Sequence, residues 1–212
     1  MIDIGANIGT YTMYSSSIRR KTIAIECYRP NIERLIKAIE IEQVSKYVIL
    51  IGNAIYNQSN QILQLTKEKS NIGGQSLFTN QTIHYSNSTQ DQFTVVTTRF
   101  DDLYPMFIQN DLSDVIIKID IESAEIFLFQ TADRIFDSIN IVLVQMEWAS
   151  IKLNQNYAQF IMNFFYKRNY LSVSTANCQI LNSKTSNYTT WGSPHDIYWI
   201  KRSYFRICPT LT

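Results

Sequence analysis

Asp3-Ile4-Gly5-Ala6-Asn7-Ile8-Gly9-Thr10-Tyr11-Thr12 decides the fold, because a strand gives way there, through two glycines, to a helix. Glycine permits a tight turn and lets a ligand approach where a Cβ would obstruct it. The spacing is G-x-x-x-G and not G-x-G-x-x-G, which places a nicotinamide dinucleotide behind other nucleoside ligands. Asp3, at the end of the strand, can accept hydrogen bonds from an ammonium group and would repel a pyrophosphate. The loop therefore asks for a cationic ligand.

Outward from this loop, Lys21–Glu26, Tyr47–Ile51, Asp114–Asp120 and Ile139–Glu147 read as buried strands, with Tyr170–Ser174 and Ile197–Lys201 following. Pro30 opens a helix whose Ile32, Leu35, Ile36 and Ile39 repeat at helical spacing. Ala124–Phe136 has a helical pattern, and Tyr157, Phe160, Ile161, Phe164 and Phe165 mark one face of another helix. Continuous apolar runs indicate strands covered on both faces, and their alternation with helices predicts a doubly wound, mostly parallel α/β sheet. The polar stretch from Asn57 to Arg99 breaks the rhythm and reads as a β-rich, hairpin-like insertion with a turn at Gly73-Gly74, above one edge of the sheet.

Composition sets the outer bounds. A chain of 212 residues, 45% apolar and 17% charged, fits one elaborated domain over 1–212 and excludes a disordered chain. The net charge of +1 provides no field for nucleic acid or an anionic membrane. Apolar runs such as Ile139–Val144 fall far short of the ~20 residues that span a bilayer. Met1-Ile2-Asp3-Ile4-Gly5 lacks the basic start and apolar core of a signal peptide. Cys27, Cys178 and Cys208 are sparse and odd in number, which argues against a disulfide framework. N-x-S/T sequons stand at Asn57, Asn80, Asn87 and Asn187, where roughly three arise by chance from such a composition. The compartment stays open between the cytoplasm and a secretory route.

Ligand chemistry follows from successive strand ends. Glu26 closes the second strand, where a carboxylate can accept both hydroxyls of a ribose. Asn53-Ala54 closes the third, where an amide and a backbone N–H can meet an adenine. Amino acid, ribose and adenine together describe S-adenosylmethionine. After the fourth strand come Lys118, Asp120, Glu122 and Glu125. Asp120 and Glu122 straddle the strand's end, facing the crevice where open α/β sheets bind ligands, and are the candidate catalytic pair. Glu147 is a further acid for the acceptor pocket; His84 reads as a surface residue and His195 as part of a turn. No set of three oxygen ligands has metal-binding spacing.

The segments DIGANIGTYT (3–12), IE (25–26), NAI (53–55), NIGGQS (71–76) and KIDIESAE (118–125) resemble the FkbM-type methyltransferases, from Ile2 to about Ile200. The resemblance implies a seven-stranded class I methyltransferase sheet with an antiparallel last strand. It also implies S-adenosylmethionine as cofactor and O-methylation of a small hydroxylated molecule or glycan. By position, Asp3, Gly5, Asn7 and Gly9 match the cofactor loop, and Glu26 the ribose acid. Two positions depart: Ser123 stands where the family usually has Gly, and Cys27 where it has Pro. Only Met1 and Ile2 precede Asp3, so the first strand reads as clipped, and a truncated, non-catalytic binding module is the alternative. The oligomeric state is open.

Overall fold

The structure, a computed structural model, describes residues 1–67, 74–78, 91–181, 187–192 and 195–210. The chain opens with β1 (Ile2–Ile4), α1 (Thr10–Ser17), β2 (Thr22–Ile25), α2 (Arg29–Ile41) and β3 (Val48–Ile51). Four short strands follow: β4 (Ala54–Ile55), β5 (Ile62–Leu65), β6 (Leu77–Phe78) and β7 (Thr94–Thr98). Then come α3 (Tyr104–Gln109), β8 (Asp114–Ile119), α4 (Glu125–Phe129), α5 (Asp133–Ser138) and β9 (Asn140–Glu147). The chain closes with α6 (Gln155–Tyr166), β10 (Tyr170–Ser174), β11 (Ile180–Leu181) and β12 (Asp196–Lys201).

The main sheet runs β11-β10-β12-β9-β8-β1-β2-β3, parallel from β9 to β3 and antiparallel around β12. The expected mostly parallel sheet with an antiparallel last strand is thus present, with β11 added as an eighth strand, antiparallel to β10 at the edge. The strand order reverses between β1 and β8, where open sheets bind ligands. Register makes that point polar: Asp3 lies opposite Lys118. The insertion contributes β5, β6 and β7 to a second sheet, β4-β7-β5-β6, whose β4 immediately precedes it. Its β5 and β6 do make an antiparallel hairpin; Gly73 of the expected turn lies outside the described residues.

Three helical expectations are corrected. Ala124–Phe136 is two short helices and not one, broken around Thr131. Thr131 docks the preceding segment, taking the N–H of Phe100 on its hydroxyl (3.1 Å) and that of Asp101 on its carbonyl (2.8 Å). Asp101 in turn caps α5, accepting from the N–H groups of Arg134 and Ile135, so the groups freed by the break are satisfied. In α6 the buried residues are Ala158, Ile161, Met162, Phe164 and Phe165, whereas Tyr157 and Phe160 face outward. In α2, Ile36 is exposed and the buried line is Asn31, Leu35 and Ile39. Aromatic rings concentrate where α4, α5 and α6 meet the sheet: Phe129, Phe136, Phe164 and Phe165 interlock, and Phe165 stacks on Trp199 of β12 at 4.4 Å. Cys178, from the set read as arguing against disulfides, is disulfide-bonded, while Cys27 is free.

Candidate active site

A cavity of ≈ 250 Å³ opens at the carboxyl ends of β1, β2, β3 and β8. Gly5 and Asn7 reach it from the first loop, Glu26 from the second, Asn53 and Ala54 from the third, and Asp120 and Glu122 from the turn after β8. Seven of the nine residues singled out from the sequence therefore share one wall. Asp3 and Gly9 do not line it.

Asp3 is a correction to the sequence reading. It is fully buried, its Oδ2 accepts from the Thr12 hydroxyl at 2.6 Å, and its Oδ1 faces the Lys118 ammonium at 3.8 Å. The carboxylate fixes α1 and the strand behind the loop and touches no ligand space. Both loop glycines also serve packing between elements. A Cβ on Gly5 (φ +74°) would stand 1.8 Å from the Asp120 carbonyl oxygen, and one on Gly9 (φ +93°) 2.3 Å from Leu35 Cδ1 of α2. Glycine is needed here because protein, and not ligand, comes close.

Glu26 is held on two sides. Its Oε2 accepts from the Asn7 N–H (2.7 Å) and its Oε1 from the Tyr28 N–H (2.8 Å). Burial raises its pKa, against the lowering effect of those backbone donors. Asn7 sits in the left-handed region (φ 52°), and its Oδ1 accepts from Asn31 Nδ2, itself bonded through Oδ1 to Arg34. Asn31 is a buried polar residue the sequence reading missed. Its signal was spacing, since it lies four residues before Leu35 on the face that α2 buries. Asn53 donates to the Val96 carbonyl at 3.2 Å. Leu65, Gln75 and Leu77 of the insertion complete the wall, and beneath it Tyr28, Ala54, Leu65 and Val95 pack together. Cys27 lines the cavity too, its thiol pushed up to about 12 by burial and then by Glu26. It is no nucleophile.

Residues 3–172 match the Methyltransferase FkbM domain. The chain belongs to the FkbM methyltransferase family. It is similar in fold to methyltransferase FkbM from Methylobacillus flagellatus KT, with a TM-score of 0.54 and 13% identity, covering 94% of this chain and 42% of that one. The chain thus spans less than half the length of that protein. A precorrin-6y C5,15-methyltransferase from Geobacter metallireducens GS-15 gives a TM-score of 0.42 and 11% identity, over 94% of this chain and 77% of that one. No curated protein matches.

In this member of the FkbM methyltransferase family the charge centre is Lys118. Almost fully buried, it donates to the Gly5 carbonyl at 2.7 Å and lies 3.6 Å from the half-exposed Asp120 carboxylate. One ammonium thus ties the first loop to the turn after β8. The sequence reading placed the candidate catalytic roles on Asp120 and Glu122 and not on this lysine. Glu122 and Ser123 of that turn both have left-handed backbones (φ 52° and 74°). Glu125 is fully buried; its Oε1 accepts from the Ile121 N–H at 3.3 Å and its Oε2 has no partner. Burial, before the charges of Glu147 and Asp120, raises it to about 7. Glu147 is also raised, by burial first and then by Asp120, Glu122 and Asp196. His195 stays in a turn, its carbonyl accepting from the Trp148 N–H at 2.8 Å; His84 lies outside the described residues. Among the described residues no acid, His or Cys group is placed to hold a metal ion, and no helix is long and apolar enough to cross a membrane.

Proposed function

We propose that residues 1–212 act as one catalytic domain that uses S-adenosylmethionine to methylate a hydroxyl of a small molecule or glycan. The observation that carries this reading is the shared cavity, in which four parallel strand ends converge on Glu26, the Gly5–Asn7 turn, Asn53-Ala54 and Asp120. Glu26 fits a ribose: its carboxylate lines the cavity, held by the Asn7 and Tyr28 N–H groups, and its two oxygens match the two hydroxyls. Those same bonds orient the carboxylate before any ligand arrives, which lowers the entropic cost of binding.

Asn53 and Ala54 take the adenine, and the methionyl portion lies toward Gly5 and Asn7. Asp3 and Gly9 support that loop from behind. Around it two carboxylates, Asp3 and Asp120, face the single ammonium of Lys118. The excess negative charge suits a ligand bearing an ammonium and a sulfonium. When bound, the cofactor supplies a methyl group already activated by positive sulfur. The chain's own part is to align the acceptor oxygen and receive its proton, which falls to Asp120 and Glu122. Isothermal calorimetry tests the reading: S-adenosylmethionine binds the chain, and Glu26→Ala weakens it by about tenfold or more. Absence of heat with millimolar ligand would remove the cofactor assignment. Transfer of a labelled methyl to a panel of hydroxylated sugars tests the acceptor class.

A further inference from the structure

We infer that Asn187 is a site of N-linked glycosylation, on a chain that folds in an oxidising compartment. The inference is independent of the methyltransferase chemistry. Of the four sequons, Asn80 and Asn87 lie outside the described residues. The other two differ in what surrounds them. Asn57 has its Oδ1 buried with no hydrogen-bond partner. The hydroxyl of Ser59, the third residue of that sequon, is engaged by the Asp102 carboxylate at 2.5 Å and the Arg99 N–H at 2.8 Å. A glycan on Asn57 would have to displace that packing.

Asn187 has the opposite setting. It is exposed, as is Thr189. Its Oδ1 accepts from the Thr189 N–H at 3.1 Å, an Asx turn that brings the sequon's first and third residues together. Its Nδ2 makes no hydrogen bond among the described residues. The backbone beneath is fixed: the Asn187 carbonyl accepts from the Thr190 N–H (2.9 Å) and hydroxyl (2.7 Å), and the Tyr188 carbonyl accepts from the Trp148 indole (2.9 Å). A hydrogen-bonded turn thus presents the Asn187 amide to solvent, and Asn187 does not line the cavity. The second, separate observation is redox: Cys178 is disulfide-bonded. Disulfides persist in secretory and extracellular spaces and are rare in reducing ones. A surface sequon is modified in those same spaces.

The transfer balances simply. A bond forms between Asn187 Nδ2 and the anomeric carbon of an oligosaccharide carried on a lipid diphosphate. The bond from that carbon to the diphosphate oxygen breaks, and Nδ2 loses one proton. To test it, native protein is isolated from its own cells with free thiols alkylated, digested without reduction, and treated with peptide N-glycosidase in heavy-oxygen water. The expected result is heavy aspartate at position 187, unmodified Asn57, and Cys178 recovered only in cross-linked peptides. Unlabelled Asn187 throughout, or an alkylated Cys178, overturns the inference. Thr189→Ala keeps the N–H that the Asx turn uses and removes the hydroxyl; it should abolish the modification without moving the melting temperature, and Thr189→Ser should restore it. A glycan persisting in Thr189→Ala would equally refute the assignment.

Discussion

Two neighbouring residues after β8, Ser123 and Glu125, hold measurable strain of different kinds. Ser123 is an exposed L-residue at φ 74°, which costs about 1–2 kcal/mol relative to a residue without a Cβ. Glycine there also gains freedom in the unfolded chain, which offsets part of the benefit. Ser123→Gly should therefore raise stability by about 0.5–1 kcal/mol, read as an upward shift of the thermal midpoint. A lower midpoint would mean that Ser123 pays no backbone penalty. Glu125 stores its strain in a proton. Its carboxyl titrates near 7 when folded against 4.5 in the reference state. Between those values the native state binds more protons than the unfolded one, so stability falls as pH rises from 4.5 through 7 and then levels. Glu125→Gln keeps an oxygen for the Ile121 N–H and removes the titration. Melting at pH 5 and pH 8 should show the wild type losing stability between the two and the variant losing less. Equal losses would place the pH dependence on other groups.

At the scale of elements, the insertion supplies part of the cavity wall. Strands β5 and β6 hold Leu65 and Leu77 over the loop that carries Glu26, with Tyr28 and Phe93 in contact beneath at 5.5 Å between ring centres. Leu77 is only half-buried and lies in a two-residue strand, so truncating it removes cavity wall with little loss of core. Leu77→Ala should weaken S-adenosylmethionine binding by several-fold to about tenfold, the loss of about 1 kcal/mol of apolar contact, and barely shift the melting temperature. Unchanged affinity by calorimetry would take the insertion out of the site. The sequence showed this element as a polar break in rhythm with short β runs. It did not show the pairing of β4 with β7, which joins residues 54 and 97 across a long loop. Strand identity was legible because β2, β3, β8 and β9 carry continuous apolar runs, even though Ile116 of β8 is exposed and β3, at the sheet edge, is only partly buried. Helix faces were less so. In α2 and α6 the apolar residues exceed what one face can bury, and tertiary contact alone selects Asn31 over Ile36 and Met162 over Phe160. Asp3 was misread for a related reason: a strand-end acid looks the same in sequence whether it faces a ligand or a buried lysine 115 positions later, and only the register of β1 against β8 pairs it with Lys118.

For the whole molecule, the cavity joins distant parts of the chain: loops after β1, β2 and β3, the insertion, and the turn after β8. No one of these holds the site alone, so a ligand that fits it binds the native state and not the unfolded chain. Such binding stabilises by an amount set by concentration over Kd, about 2.7 kcal/mol at a hundredfold excess. In a chain of 212 residues each kcal/mol raises the melting temperature by about 2–4 °C, giving a shift of about 5–10 °C. S-adenosylmethionine and its demethylated product should both produce that shift, because both carry a ribose for the Glu26 carboxylate and an amino-acid ammonium for the Gly5–Asn7 turn and the Asp120 carboxylate. NADH should not, because its pyrophosphate would meet those carboxylates. The shift should move one cooperative transition, read alike by near- and far-ultraviolet circular dichroism, since the ligand's contacts span β1 to β8. A transition that splits, with only its upper part responding, would separate the ligand-binding strands from the rest and end the single-domain reading; a response to NADH alone would end the cofactor assignment.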